Sequence, residues 1–183
     1  MGLQIKAFER LTRLEVAFDE EDDPVDPKTG ERLVYSLCAF VTMPDRAEGL
    51  EDQGFYKAEN SMRFSAGSYG GYHYWRDALA RMVGYAPAPI ETIPADEVRF
   101  PYYHGAIAAR SGPFFELIHF SDCHGTIGPV VSVKLARDFA EWEERARQYE
   151  AANANLAGFF FSQYQLWNKA FQMAANGGAV DFR

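Results

Sequence analysis

A chain of 183 residues, 48% of them apolar, is long enough for one domain with a proper core and short for two. Its 26 acidic residues exceed its 18 basic ones, and the net charge of −8 argues against a nucleic-acid polymer or an anionic membrane surface as partner. No apolar run approaches the roughly 20 residues that span a bilayer, and no charged-then-apolar leader opens the sequence, so a cytoplasmic chain with Cys38 and Cys123 as reduced, buried thiols is expected.

Residues 11–18 alternate, with Leu14, Val16 and Phe18 on one side and Arg13, Glu15 and Ala17 on the other, which predicts a half-buried strand. Residues 33–41 are apolar on both parities apart from Ser36 and read as a more central strand. The acidic stretch 19–32 between them, with its prolines and Gly30, suits an exposed hairpin loop. Its carboxylates miss the calcium-loop spacing, so no metal is expected there. Residues 43–60 read as a polar connection with one short helix over 47–53.

The stretch around residues 63–84 is the likeliest place for a site. Residues 62–66 are extended, Gly67, Gly70 and Gly71 break the run, and Tyr72, Trp75, Leu79, Met82 and Val83 then recur at helical spacing up to Gly84. Two readings stand side by side. Ser68 caps the helix and the glycines make the turn, or the loop presents free backbone N–H groups and the positive end of a helix dipole to an anion. On the second reading the ligand-binding candidates are Gly67, Ser68, Tyr69, Gly70, Gly71 and Arg76, with Asp122 beside them. His73, Arg76 and Asp77 lie away from the apolar stripe, facing a cleft. The run matches neither GxxxxGK[ST] nor GxGxxG.

Four prolines make residues 85–101 a surface excursion, able to form a wall or lid of that cleft. Residues 114–120 are bulky on both parities and are expected to form a buried strand, with Ser121, Asp122, Cys123, His124 and Gly125 clustered at its end. His119, Asp122 and His124 are the catalytic candidates. Their HFSDCH run lacks a zinc spacing, and no metal or cofactor is assigned. His124 to Ile127 loosely resembles the histidine–x–threonine–apolar motif of two-histidine phosphoesterases, without the distant second motif that family needs. The plainer alternative has Asp122 holding the backbone of a neighbouring loop.

Ser132 is expected to cap a helix whose face carries Leu135, Phe139, Trp142, Ala146 and Tyr149, with Pro129 outside it. The last long element, over residues 155–175, carries Phe159, Phe160, Phe161, Tyr164, Trp167 and Phe171. So broad an aromatic stripe serves either the core or a homodimer contact. Gly177 and Gly178 end that helix, and the tail is loose unless Phe182 docks.

Two blocks, FSAGSYGGYHYWRDAL and FELIHFSDCHGTIGPVVSVKLARDF, resemble a family of bacterial and phage proteins sharing a GSY, aromatic, WR pattern and a later FSD, GxIG, KLxxDF pattern. The resemblance covers about half the chain and implies no activity; it implies that Ser68, Tyr69, Arg76 and Asp122 lie near one another. The expected fold is α+β, with a mostly antiparallel sheet from segments near 8–18, 33–43, 61–66 and 114–121 under helices near 71–83, 132–149 and 154–176. Three functions follow as expectations: a binding domain for a small anionic or nucleotide-like ligand in a phage or bacterial host-interaction setting, a phosphoester hydrolase using His119, Asp122 and His124, or an interaction module acting through the aromatic last helix.

Overall fold

The computed structural model describes residues 2–90, 101–120 and 124–183. In chain order its strands are β1 (Gln4–Glu9), β2 (Thr12–Arg13), β3 (Ala17–Phe18), β4 (Pro24–Val25), β5 (Leu37–Cys38), β6 (Phe55–Lys57), β7 (Asn60–Ser65), β8 (Gly125–Ile127) and β9 (Ala179–Phe182). The helices are α1 (Tyr69–Met82), α2 (Tyr102–Ala109), α3 (Phe115–His119), α4 (Pro129–Glu141), α5 (Glu143–Ala151) and α6 (Phe160–Ala174). The fold is α+β. A four-stranded sheet runs in the order β7-β1-β9-β8, a side sheet in the order β2-β6-β5, and β3-β4 form a hairpin, with antiparallel pairing in all three. Among the described residues no helix is long and apolar enough to cross a membrane.

The main sheet owes its two faces to strict alternation. Ile5 and Ala7 of β1, Phe64 of β7, Val180 and Phe182 of β9 and Ile127 of β8 join the principal core under the helices. Trp167 of α6 sits at the centre of that core, with ring centroids of Phe64, Tyr72, Trp75, Phe171 and Phe182 between 5.1 and 5.9 Å away. Phe160, Tyr164, Trp167 and Phe171 are all fully buried. Of the two uses expected for the stripe, these four side chains serve the core.

Several elements differ from the expectation. Residues 114–120 form no strand. Phe114, Leu117 and Ile118 are buried at helical spacing, and Arg46 and the α1 side chains hold the resulting one-turn helix α3 from outside. A short apolar run reads equally as strand or buried helix, and tertiary packing decided it. The single strand expected over 8–18 is instead the end of β1 followed by fragments, and of 33–43 only Leu37–Cys38 is regular. The helix expected over 132–149 starts at Pro129 and breaks at Trp142. Ser132 lies inside its first turn and donates its hydroxyl to Gly128 O at 2.8 Å instead of capping it.

The tail meets the condition set for it, since Phe182 docks. β9 lies between β1 and β8 in the middle of the sheet, entered through Gly178, where a Cβ would come within 1.8 Å of Phe8 O. Phe182 is 1% exposed. Phe182→Ala is expected to cost about 3–5 kcal/mol in urea denaturation, the usual cost of emptying a buried phenyl site; a loss of a few tenths would mean the tail is undocked.

Candidate functional site

The glycine loop has a structural explanation at Gly67, Ser68 and Gly71. Gly67 takes φ +88°, its N–H bonds Ser65 Oγ at 3.1 Å, and its carbonyl accepts from Leu3 N at 2.9 Å. Ser68 is the N-cap, its Oγ accepting from Gly71 N at 3.0 Å, so α1 begins at the exposed Tyr69 and Gly70. Of the two readings, the cap and turn is the one the geometry displays.

Arg76 does not face an open cleft. It is 3% exposed, and its guanidinium donates to Ile118 O at 3.0 Å and Phe120 O at 3.2 Å, closing the C-terminal end of α3, while Nη2 lies 2.5 Å from His73 Nδ1. The rings of Tyr72 and Tyr103 flank it at 5.3 and 5.2 Å, and the Tyr72 hydroxyl donates to Phe120 O at 3.3 Å. His119 belongs to the same cluster. It stacks on Phe115 at 5.4 Å, and its Nδ1 lies 3.4 Å from Nη2 of the buried Arg46. Burial first, then the positive charges of Arg46 and Arg76, lower the His119 pKa. A neutral imidazole accepting from Arg46 accounts for that contact.

His124 sits elsewhere, exposed at the start of β8, in a depression of about 470 Å³ whose walls include Cys38, Phe40, Asp181 and Arg183 but not His119. Asp122 and Cys123, named as a candidate and its neighbour, lie outside the described residues. The structure thus gathers Arg76, His73 and His119 around the end of α3, leaves Ser68, Tyr69 and Gly70 at the tip of α1, and takes His124 to the sheet. Among the described residues no group of three or more His, Cys, Asp or Glu side chains is placed to hold a metal ion.

The sheet face turned away from the helices carries a group that the sequence reading missed. By strand register Arg63 stands opposite Lys6, Lys6 opposite Asp181, and Asp181 opposite Thr126, one row across all four strands. The next row brings Ser65 opposite Gln4 and Gln4 to Arg183, through Gln4 N to Arg183 O at 2.8 Å and Arg183 N to Gln4 O at 2.9 Å. On the other side of the charged row the face is covered: Leu37, Ala39 and Tyr56 pack on Phe8 and Ala179 in a second small core. Ser36, Cys38 and Phe40, alternating with those covering residues, edge the open part as a wall.

Asp181 anchors the floor. It is 2% exposed, receives Arg183 Nε at 2.5 Å and Thr126 Oγ1 at 3.3 Å, and has its pKa raised because burial outweighs the opposing pull of Arg183, Thr126 and Lys6. The same surroundings act on Cys38. Its thiol pKa is raised, chiefly by burial and with Asp181 adding to it, so the sulfur is not an activated nucleophile. The signal that would have exposed this floor was period two in QIKAFE and in AVDFR.

Comparison with family models, curated proteins and solved structures finds no match to this chain.

Two outcomes follow. Arg76→Ala, by orphaning two carbonyls and emptying a buried site, is expected to lower stability by on the order of 2–3 kcal/mol; an unchanged denaturation midpoint would free the residue for a ligand. A carboxyl whose folded pKa is raised supplies stability below its ordinary value of 3.8 that is lost as pH climbs through the raised folded value. Asp181→Asn is therefore expected to gain on the wild type as pH rises from about 4 to 8 in denaturant titrations, whereas a variant that loses ground over that range would show the carboxylate to be net stabilised.

Proposed function

We propose that this chain is a small-molecule-binding domain for an anionic ligand, which docks on the uncovered part of the outer sheet face. The observation that carries the reading is the pairing of Arg63 directly opposite Lys6. Like charges placed opposite each other on a sheet destabilise it, and neither side chain forms a direct ion pair among the described residues; Lys6 has the buried Asp181 carboxylate opposite it on its other side, whereas Arg63 has only Lys6 across from it in the row. A bound anion removes that repulsion, so the arrangement costs stability when empty and favours occupancy. Arg183, in the next row, is neutralised by Asp181, so Lys6 and Arg63 carry the positive charge here, on a protein with a formal charge of −8. A depression of about 430 Å³ over Lys6, Ser36, Ser61 and Arg63 gives a small ligand room.

This reading keeps the ligand class expected from the sequence and moves its place from the α1 loop to the sheet. The hydrolase reading asks His119 and His124 to meet at one phosphorus, and the first is engaged with Arg46 while the second lines the depression beside Asp181, whose lining does not include His119. The block resemblance supports a phage or bacterial host-interaction setting, and the unpaired Cys38 thiol suits a reducing compartment such as the cytoplasm.

The test is calorimetric titration with inorganic phosphate and pyrophosphate at low ionic strength. Arg63→Ala and Lys6→Ala should each weaken binding about tenfold, as expected for loss of one charge-assisted contact, with the fold and melting temperature kept or raised. Wild-type protein that takes up no phosphate at millimolar concentration, or variants that bind as well as wild type, would overturn the proposal.

A further inference from the structure

The anion site and the depression beside His124 share one strip of the outer sheet face. Its floor is the row from Arg63 to Thr126, which at strand spacings of about 4.8 Å measures about 14 Å across. The two depressions described above lie over opposite ends of this floor, the first against β7 and β1 and the second against β9 and β8. Their chemistry differs. The first end holds the cations Lys6 and Arg63, neither in a direct ion pair among the described residues, with the Asp181 carboxylate on the far side of Lys6. At the second end Phe40 is 51% exposed, with the imidazole of His124 beside it.

Phe40 is an unusual exposed aromatic because its backbone is clamped. Its N–H bonds Thr126 Oγ1 at 3.1 Å, and its carbonyl accepts from Thr126 N at 2.9 Å. Thr126 also reaches Asp181 at 3.3 Å, so the wall that presents the ring is tied to the floor. Neighbouring Gly125 leaves no room for a Cβ, which would meet Thr42 Oγ1 at 2.5 Å and the Phe120 ring at 2.8 Å, and this closeness draws the segment onto the sheet edge. A phenyl ring fixed half in solvent above a polar floor is a stacking platform for a flat group. Asp181 lines the second depression on the side toward Lys6, where its carboxylate, bonded to Arg183, disfavours a second anionic group.

We propose that the ligand of this strip is an aromatic phosphate monoester the size of a nucleoside monophosphate, with its phosphate between Lys6 and Arg63 and its ring against Phe40. The proposal rests on the anion-binding reading and adds orientation and ligand class to it. A ring attached directly to phosphate is too short to reach both ends, so a spacer of sugar size is part of the specification.

Calorimetric titration of the full chain with adenosine 5′-monophosphate, ribose 5-phosphate, adenosine, phenyl phosphate and inorganic phosphate tests it. Adenosine monophosphate should bind on the order of tenfold tighter than ribose 5-phosphate or phenyl phosphate, the gain expected of one stacked ring. Phe40→Ala should erase that advantage and leave ribose 5-phosphate unaffected, Phe40→Tyr should keep it, and Arg63→Ala should weaken both phosphates alike. Equal affinity for adenosine monophosphate and ribose 5-phosphate, or full retention of the advantage in Phe40→Ala, would overturn the ring assignment and leave anion binding standing. Phenyl phosphate binding as tightly as the nucleotide would overturn the spacer. Failure of every phosphate to bind would overturn the anion reading itself.

Discussion

The architecture depends on the insertion of β9 between β1 and β8. Four residues at the end of the described chain supply hydrogen-bond partners to two strands at once, so that without them β1 and β8 have no common sheet. Because side chains on a strand alternate, the same insertion aims Val180 and Phe182 at the helices and Asp181 and Arg183 at the opposite face. One strand thereby closes the aromatic core and builds the middle of the charged floor. Asp181 is tolerated there because it is bonded to Arg183 and Thr126, and burying an unbonded carboxylate would cost far more.

Core and candidate site divide the sheet between them. The inner face is filled with aromatic contacts centred on Trp167, whereas the outer face is only partly covered. Arginines inside the fold are committed to structure: Arg76 closes the end of α3, and Arg46 lies over the Phe115 ring at 4.9 Å and beside His119. Lys6 and Arg63 make no direct ion pair among the described residues, Lys6 only standing opposite Asp181, and they face the open floor. That contrast, more than the number of cations, separates structural positive charge from positive charge available to a ligand in this acidic protein.

Much of the fold was legible from periodicity. The helical stripe of Tyr72, Trp75, Leu79 and Met82, the breadth of the Phe160, Tyr164, Trp167 and Phe171 face, and the extended 61–66 segment are all present in the structure. Residues 114–120 were misread because bulky residues on both parities carry no period, and only the partners of α3 distinguish helix from strand. The outer floor was hidden for a different reason. Lys6, Arg63 and Asp181 are scattered over the whole chain and meet only through strand register, which no local pattern encodes. The alternations in 4–9 and 179–183 are too short to mark strands by themselves, and the tail is ordered only because Phe182 docks. Arg76 illustrates the converse error, since a cation beside a glycine loop looks available until its buried carbonyl partners are known.

The most direct test of the account is an NMR titration of the isotope-labelled chain with inorganic phosphate, following backbone amides. The account predicts concentration-dependent shifts confined to β1, β7 and β9, largest at Lys6, Arg63 and their cross-strand neighbours, with Tyr69, Gly70 and Gly71 unmoved. Shifts concentrated at the start of α1, or none on the sheet at saturating phosphate, would contradict it.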